Sequence, residues 1–474
     1  MVSIRKFKGL ISFVLAFAFI LQLSCGFSVS AAFVPDVDKI YSEGAYMVNL
    51  DTGVVVYSKN ENQRFYPAST TKIMTAIIVL ENCDEAKLNS TVRIGADAFN
   101  EFWTSDLNKQ GASNAALEAG QTNITYLDCL YALMIVSACE AANILALNLC
   151  GSIEGFVELM NQKAQELGCK DTHFANTHGL WEEENYSTPY DMYLIARYGY
   201  DRVPKFMEIC DTASHSFPPN QYNPDGYIKY NINSLISPSS DYYLDFAHGI
   251  KTGSIDVYYD KDGNTHDGGR CLVSSAQKNG YTYLTVTMQA PYFSETGERV
   301  NYNVIDHYNL YNWVYDSFVY QMVVEQDAPF TEVDVDQGEE TRLMLLARND
   351  FTTIVPKDLA EGGDSPVQVK KTLLYDSITA PVSRGEVLGK LDIIYQGELV
   401  QTVDLVAAKS VERSQIAFLA DRARSLTDTS WFFPLLILLA VCIVTLLVLL
   451  SIRRRKLIQE ARRKERQRRR NSFK

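Results

Sequence analysis

The chain has 474 residues, of which 47% are hydrophobic and 21% charged, and its formal net charge is −13 at pH 7. This length is enough for two or three domains, and the apolar fraction suits folded ones. The acidic balance argues against a nucleic-acid-binding protein.

The N-terminal segment, residues 1–32, has the composition of a secretory signal. Basic residues between positions 5 and 8 precede an apolar run from Gly9 to Leu23, and small residues lead to a predicted cleavage near Ala31 or Ala32. A lipid-attachment site at Cys25 is disfavoured, because Gln22 stands where such sites usually have an aliphatic residue. We therefore expect the rest of the chain to be exported.

Two short apolar runs open the exported part. Residues 45–50 and 54–57 flank the turn Asp51-Thr52-Gly53, a pattern typical of a hairpin. A polar turn then leads into an apolar helical pattern, with Pro67 at the predicted helix entrance. The spacing of Ser69 and Lys72 puts both side chains on one face of the first turn, within reach of each other.

A serine and a lysine placed in this way can form a nucleophile and its base. The hydroxyl is a poor nucleophile until a neighbour takes its proton, and a lysine can do so when burial or a second cation lowers its pKa. The same spacing also occurs at Ser3…Lys6 and Ser275…Lys278. Taken alone it fits a helix N-terminus followed by a solvated lysine, so the assignment of Ser69 depends on the rest of the chain.

Helical and strand-like patterns alternate up to about residue 318. The predicted helices are 125–150 with a polar break at 136–140, 156–167, 188–198 and 304–318. The predicted strands are 271–276 and 282–288, preceded by the segment His248–Ser254 and by an irregular stretch rich in Asn, Pro and Ser. Strands at both ends with helices between them predict an α/β (α+β) domain at 33–325, an antiparallel sheet with an inserted helical subdomain.

From Phe330 onward the pattern changes to short strand-like runs. They predict a small all-β domain at 326–410, which carries no constellation of chemically useful residues and is interpreted as a spacer or docking module. Residues 411–430 are predicted to link it to an anchor, and could do so as a helix.

The anchor is predicted at residues 431–452. Its 22 residues, predominantly apolar, would form a helix of about 33 Å, enough to cross a bilayer. The basic run Arg453–Lys456 follows at once, and such flanks stay on the cytoplasmic side. The tail 453–474 carries 12 basic and 2 acidic residues, and its position favours anionic lipid headgroups over nucleic acid as a partner. Without the signal and this tail, the chain has a net charge of −26.

Seven cysteines remain once Cys25 and Cys442 are set aside with the signal and the anchor. An odd number without C-x-x-C spacing argues against a zinc site and against a complete disulfide framework. The six histidines show no ligand spacing either. We expect small buried thiols and no metal.

Three motifs stand in order along the chain: Ser69-x-x-Lys72, Ser137-x-Cys139 and Lys251-Thr252-Gly253. This trio resembles that of the serine acyl-transferases that react with penicillin. The surrounding residues look like those of the D-alanyl-D-alanine carboxypeptidases, the low-molecular-mass penicillin-binding proteins. The matching segments are Pro67–Thr75, Thr172-x-Phe174-x-Asn176 with Gly179-Leu180, Tyr186–Thr188 with Asp191-Met192, Gly249–Gly253, and Ala380-Pro381-Val382 with Gly385, Gly389 and Val403–Ala407.

This resemblance implies a two-step acyl transfer. Ser69 attacks the D-Ala-D-Ala bond of a peptidoglycan stem peptide, releases the terminal D-alanine and passes the acyl group to water. Lys72 takes the Ser69 proton, and Ser137 relays a proton to the leaving amine. β-Lactam antibiotics are expected to acylate the same serine, and the chemistry requires no cofactor.

The resemblance also implies a substrate-binding strand made of Lys251, Thr252, Gly253 and Ser254. Lys251 adds positive potential that holds the terminal carboxylate of the substrate and helps to keep Lys72 neutral, and Thr252 offers that carboxylate a hydroxyl. The oxyanion is expected on the backbone N–H groups of Ser69 and Ser254.

One position departs from the family pattern. The middle motif usually ends in asparagine, whereas this chain has Cys139, followed by Glu140 where aspartate is common. Cysteine is a weak donor and acceptor, and the loss of one such hydrogen bond costs about 1–2 kcal/mol. We expect a slower enzyme that still acylates.

Several alternatives stay open. One is a D,D-endopeptidase or a β-lactamase on the same scaffold, and another is a binding or scaffolding protein disabled by Cys139.

The acidic run Glu182–Asn185 resembles the deacylation loop of class A β-lactamases only weakly and is interpreted as a solvated loop. Asp260–Asn264 has a calcium-like composition, but its glycine is misplaced for an EF-hand, so a hairpin tip is predicted. The sequence leaves the oligomeric state open.

Overall fold

A computed structural model of the chain describes residues 33, 35–37, 39–104, 112–255, 257–259, 265–360, 367–375, 377–395 and 397–471. The predicted signal and the predicted hairpin tip lie outside these residues. The described chain divides into two compact units. The first runs up to Gln321 and adds Thr352–Gln368 and Tyr395–Val400; the second comprises Met322–Phe351, Val369–Ile394 and Gln401 onward.

The helices and strands of the described chain have the following bounds. The helices are α1 (Lys72–Asn82), α2 (Glu85–Leu88), α3 (Asn100–Thr104), α4 (Tyr126–Ile135), α5 (Cys139–Cys150), α6 (Ile153–Glu166), α7 (Pro189–Arg202), α8 (Phe206–Cys210), α9 (Tyr302–Ser317), α10 (Lys357–Ala360), α11 (Gln415–Thr427) and α12 (Phe432–Asn471). The strands are β1 (Gly44–Asn49), β2 (Val55–Lys59), β3 (Ser214–Phe217), β4 (Tyr227–Tyr230), β5 (Ala247–Ser254), β6 (Val257–Tyr259), β7 (Thr265–Asp267), β8 (Arg270–Lys278), β9 (Tyr281–Ala290), β10 (Phe318–Val324), β11 (Pro329–Asp336), β12 (Arg342–Ala347), β13 (Phe351–Pro356), β14 (Val367–Leu373), β15 (Ile378–Thr379), β16 (Val387–Tyr395) and β17 (Glu398–Ala407).

The first unit is organised around a five-stranded antiparallel sheet in the order β2-β1-β9-β8-β5. Side chains alternate from one face of the sheet to the other along each strand, and each face packs in its own hydrophobic core. On β8, Val273 packs with the core that contains α1, whereas its neighbour Leu272 packs with the core that contains α9. The edge strand β5 carries Lys251–Ser254, and its outer side is left open within this sheet.

A helical subdomain lies between β2 and β5 in the chain, as predicted. Its centre is α1, whose Ile73 and Ile77 are fully buried. The polar break in the predicted helix of residues 125–150 separates α4 from α5, and Thr125 starts α4 with a reciprocal capping box to Asp128. Gly151 ends α5 in the left-handed conformation, which glycine adopts without strain.

The stretch before β5 that the sequence pattern predicted to be irregular contains a two-stranded ribbon, β3 and β4. Its strands have four residues each, Ser-His-Ser-Phe in β3 and Tyr-Ile-Lys-Tyr in β4. Strands this short give only a weak periodic signal, so they are recognised from their pairing rather than from their pattern.

The second unit is built on a sheet in the order β14-β16-β17-β12-β11-β15. Its core is formed by alternate side chains such as Leu343, Leu391 and Leu405, all fully buried. The predicted all-β architecture is therefore confirmed. The run around Thr352, which the sequence placed in this domain, forms β13 and pairs with β10 in a separate two-stranded sheet.

The C-terminal part is helical from Gln415 onward, with a break between α11 and α12. The helix α12 has an 18-residue window of mean hydropathy 3.3, and within the described chain it is long and apolar enough to cross a membrane. The basic residues after Ile452 continue the same helix as far as Asn471.

Candidate active site

Ser69 lies in a short 3-10 turn, Ala68–Thr71, that runs directly into α1. Lys72 is the first residue of α1 and is completely buried, and its Nζ atom lies within hydrogen-bonding distance, 2.9 Å, of the Ser69 Oγ atom. Burial lowers the pKa of Lys72, because an ammonium ion loses its hydration there. The local fold of the turn and of the start of α1 thus brings the Ser69 hydroxyl and the Lys72 amine together.

The amine of Lys72 has two further contacts. It donates to the backbone carbonyl of His178 over 2.5 Å, and it lies 3.5 Å from the Sγ atom of Cys139. The carbonyl is a strong acceptor and the thiol a weak one. The position of Nζ therefore depends on the peptide at His178 more than on Cys139.

The His178 peptide is held by its own side chain. The Nδ1 atom of His178 accepts the N–H of Leu180 at 3.1 Å, which places the proton of the neutral ring on Nε2. That Nε2 atom lies 3.1 Å from the Oε1 atom of Glu101, which also accepts from Asn143 on α5. Burial lowers the pKa of His178 and so favours the neutral ring.

Two glycines allow other segments to approach the Ser69 turn. Gly179 has φ +79°, and a Cβ atom there would lie 1.8 Å from the carbonyl oxygen of Ala68. A Cβ atom at Gly253 would lie 3.2 Å from the backbone nitrogen of Ser69, so β5 passes close to that amide. The approach at Gly179 requires glycine, whereas a side chain at Gly253 would make a tight contact with the Ser69 amide.

Ser137 lies in the break between α4 and α5. It has φ 64°, a region that non-glycine residues rarely adopt and that is common at functional sites. Its Oγ atom is buried and has no hydrogen-bond partner within the described part of the chain. The hydroxyl is thus available for a group that enters from the cleft.

Cys139 and Glu140 open α5 and hold the segment before α4. The N–H of Cys139 donates to the carbonyl of Ser113 over 2.8 Å, and the Oε1 atom of Glu140 accepts from the N–H of Ala115 over 2.6 Å. Burial raises the pKa of Glu140 to about 7, although backbone N–H groups partly oppose this. Glu140 therefore anchors the segment that carries Ser113 to the cleft wall.

Lys251 is buried on β5 and donates from Nζ to the carbonyl of Thr252 over 2.8 Å. Burial lowers its pKa, and the charge of Lys72 lowers it further. Repulsion between two like charges is mutual, so a charge on either amine disfavours a charge on the other.

A cleft of about 440 Å³ joins these elements. Six of the predicted site residues line it: Ser69, Ser137, Cys139, Thr252, Gly253 and Ser254. Lys72 and Lys251 lie next to these lining residues: Lys72 is hydrogen-bonded to the Ser69 hydroxyl, and Lys251 to the Thr252 carbonyl. The structure therefore brings together all eight residues that the motifs predicted.

Sequence reasoning missed part of the cleft. Arg270 and Arg299 also line it, and their guanidinium carbons lie 3.9 and 5.3 Å from the ring centroid of Tyr292. The His178 carbonyl and Glu101 were missed as well. A backbone carbonyl leaves no trace in the sequence, and an isolated arginine or glutamate without a motif gives no signal.

The other sequence candidates lie elsewhere. Ser275 and Lys278 lie on β8, where a spacing of three residues puts side chains on opposite faces. The acidic residues 182–184 are exposed in a loop. β6 and β7 flank the predicted hairpin tip and pair with each other.

Comparison with known proteins gives a consistent result. The family model described as D-alanyl-D-alanine carboxypeptidase matches residues 30–292, and that described as penicillin-binding protein 5, C-terminal domain, matches residues 318–413. The D-alanyl-D-alanine carboxypeptidase DacF of Bacillus subtilis is 26% identical over 394 residues, which cover 82% of this chain and 90% of that protein. The D-alanyl-D-alanine carboxypeptidase of Streptomyces sp. strain K15 is 30% identical over 257 residues, or 52% of this chain and 79% of that protein. The solved structure of penicillin-binding protein 5 from Haemophilus influenzae matches with a TM-score of 0.59 and 24% identity, over 81% of this chain and all of that one.

Proposed function

Since this chain belongs to the D-alanyl-D-alanine carboxypeptidase family, we propose that it removes the terminal D-alanine from peptidoglycan stem pentapeptides through an acyl-enzyme on Ser69. The observation that supports this most directly is the buried Lys72 amine, 2.9 Å from the Ser69 hydroxyl. β-Lactams, which acylate serines of this kind, are the expected inhibitors.

In the first step Lys72 takes the proton of Ser69 as the Ser69 Oγ atom attacks the carbonyl of the D-Ala-D-Ala bond. The base must be uncharged, and burial favours this form by lowering the pKa of Lys72. The hydrogen bond to the His178 carbonyl keeps one N–H of the amine occupied, which leaves the lone pair directed elsewhere. A Lys251 ammonium nearby disfavours a second charge on Lys72.

Collapse of the tetrahedral intermediate breaks the peptide bond, and the departing nitrogen needs a proton. Ser137 is the proposed relay, because its buried hydroxyl lines the cleft and has no partner within the described residues. The proton passes from Lys72 through Ser137 to the D-alanine amine. Water then attacks the ester with Lys72 as base, and the shortened peptide leaves.

The oxyanion of both intermediates is proposed to bind the N–H groups of Ser69 and Ser254. Gly253 lets β5 approach the Ser69 amide, which supports this arrangement. One such donor is commonly worth about 3 kcal/mol in the transition state. The carboxylate of the leaving D-alanine would bind the Thr252 hydroxyl in the field of Lys251.

The substitution at Cys139 supports a second candidate, a penicillin-fold protein that binds stem peptides and barely turns them over. A thiol 3.5 Å from Lys72 replaces an amide that would orient both the lysine and the substrate. We favour the active enzyme, because Ser69, Lys72, Ser137 and Lys251 are all present at the cleft.

We further propose that α12 anchors the protein in the cell membrane as a single span. The basic flank that follows Ile452 supports a cytoplasmic tail, with the catalytic unit on the other side of the membrane. In this orientation the active site would face the peptidoglycan stem peptides outside the membrane.

The test uses the full-length protein in detergent and measures release of D-alanine from a soluble stem pentapeptide. Intact mass after penicillin treatment is measured in parallel, with Ser69→Ala as the control. Release of D-alanine and one penicilloyl adduct, both lost in the control, are expected. The absence of an adduct would favour the binding role, rapid turnover of the adduct would favour a β-lactamase, and an adduct without release of D-alanine would favour a D,D-endopeptidase.

A further inference from the structure

The ribbon of β3 and β4 presents one exposed face that the proposed reaction does not use. Ser214 pairs with Tyr230 and Ser216 with Ile228, so these four side chains share one face, here named the outer face. Tyr230 is 69% and Ile228 53% exposed. Large apolar side chains grouped on a surface in this way commonly mark an interaction site.

The opposite face of the ribbon is firmly packed. The His215 Nε2 atom lies 2.7 Å from an oxygen of Asp128 on α4, and the His215 ring stacks on Tyr131 with centroids 4.2 Å apart. Phe217 and Tyr227 stack on each other at 5.2 Å. The ribbon is therefore fixed against α4 by one face. The side chains of the outer face remain exposed while the ribbon is packed in this way.

The exposed side chains continue into the active-site cleft. After β4 the chain reaches Ile232, which is 51% exposed, lines the cleft, and donates its N–H to the carbonyl of Ile135 at the end of α4. Ile228 and Tyr230 on the outer face are thus followed two residues later by exposed Ile232, and these three residues, here named the stripe, span at most about 13 Å of chain at roughly 3.3 Å per residue. The stripe ends at the side of the cleft where Ser137 lies.

The chemistry of this face suits an uncharged partner. Its four residues are apolar or carry hydroxyl groups, and none is charged, whereas the exported part of the chain is strongly acidic. A ligand with apolar CH faces and many hydroxyl groups would contact the Tyr230 ring and Ile228 and form hydrogen bonds with Ser214 and Ser216. Sugar rings have this chemistry, and a basic or anionic partner does not match it.

We propose that the outer face and Ile232 bind the glycan chain to which the stem peptide is attached, an inference that rests on the proposed function. The peptide end occupies the cleft, and the polymer that carries it must leave over the cleft rim. The stripe provides a surface along one such exit. It would distinguish stem peptides borne on glycan from free peptides.

The experiment compares the full-length protein, the double variant Ile228→Ser/Tyr230→Ser, and Tyr222→Ser as control. Tyr222 is 76% exposed in the turn of the same ribbon, so its loss removes a surface tyrosine outside the stripe. Cosedimentation with insoluble peptidoglycan is measured, together with D-alanine release from a soluble pentapeptide. We expect the apparent dissociation constant for peptidoglycan to rise at least about five-fold in the double variant only, with soluble-peptide activity within two-fold of wild type in all three.

Unchanged cosedimentation of the double variant would overturn the proposal, and so would an equal loss in the Tyr222 control. A change of oligomeric state in the double variant would assign the face to a second copy of the chain and also overturn it. The soluble peptide separates this inference from the proposed activity. If wild type released no D-alanine while the double variant alone lost peptidoglycan binding, the glycan surface would stand and the carboxypeptidase would not.

Discussion

The Sγ atom of Cys139 lies 3.5 Å from the Nζ atom of Lys72, where the family motif usually supplies an asparagine amide. Burial raises the pKa of the Cys139 thiol and lowers the pKa of the Lys72 amine, so both groups favour their uncharged forms. The contact is therefore a weak one between a thiol and an amine. The thiol therefore does little to orient the amine on that side.

Replacing Cys139 with asparagine should raise the rate of penicillin acylation by about ten-fold. The amide restores a hydrogen bond worth about 1–2 kcal/mol to the lysine and to the substrate backbone. Stopped-flow acylation of wild type and Cys139→Asn measures this, with Cys139→Ala as the matched control that adds no amide. Undetectable acylation in wild type, restored in Cys139→Asn, would show that the natural protein is a binding protein.

Lys72→Arg should lower acylation by about 10²- to 10⁴-fold. Arginine keeps a positive charge but cannot give up its proton at neutral pH, so the general base is lost. The thermal unfolding temperature of the variant is compared with that of Ser69→Ala to separate lost chemistry from lost folding. A folded Lys72→Arg protein that acylates within ten-fold of wild type would exclude Lys72 as the base.

The acid limb of the pH–acylation profile should move to higher pH in Lys251→Gln. Lys72 must be neutral to act, and removing a neighbouring ammonium makes its charged form less costly, which raises the pKa of Lys72. The profile is measured with a β-lactam of fixed charge over the tested range. A limb that stays in place while the rate falls uniformly would restrict Lys251 to holding the carboxylate.

Glu140 should make the protein less stable as the pH rises from about 4.5 to about 7. Burial raises the pKa of Glu140 to about 7 in the folded state, so in this window the folded chain holds a proton that the unfolded chain has released. The loss of unfolding free energy would reach up to about 3 kcal/mol. Thermal unfolding at pH 5 and pH 8 should show a smaller drop for Glu140→Gln than for wild type, and parallel drops would contradict this.

Gly179→Ala should unfold at a clearly lower temperature than Gly168→Ala. Both glycines have positive φ, +79° and +84°, so both alanines carry a strain of about 1–2 kcal/mol. Only at 179 would the new Cβ atom meet backbone, 1.8 Å from the Ala68 carbonyl, next to Ser69. Acylation should be lost in Gly179→Ala and retained in Gly168→Ala; equal behaviour would mean that the turn can shift without cost.

Local patterns predicted the elements that local interactions determine. The contact between Ser69 and Lys72 follows from their spacing at a helix start, and α4 and α5 follow from apolar helical patterns with a polar break. The meeting of Ser137 and Lys251 with that pair could not be derived from spacing. It was expected only because the three motifs resemble those of a known family.

The features that sequence reasoning missed depend on tertiary contacts. The ribbon of β3 and β4 is held by the pair His215 and Asp128, which lie 87 positions apart. β13 pairs with β10 and not with the strands of the second unit, and strand propensity carries no information about the partner strand. Every residue has a backbone carbonyl, so that of His178 could be recognised as part of the site only from its hydrogen bond with Lys72.

The helix α12 has 40 residues, which extend for about 60 Å, twice the thickness of a bilayer's hydrocarbon layer. In the proposed single span, about half of this length would emerge from the bilayer as a helix rich in arginine and lysine. Drawing this part of the helix back through lipid would force each of those side chains into hydrocarbon, at roughly 2.5–3.5 kcal/mol apiece. The proposed span would therefore resist withdrawal from the membrane, and release of the catalytic unit would require a protease cut between that unit and α12.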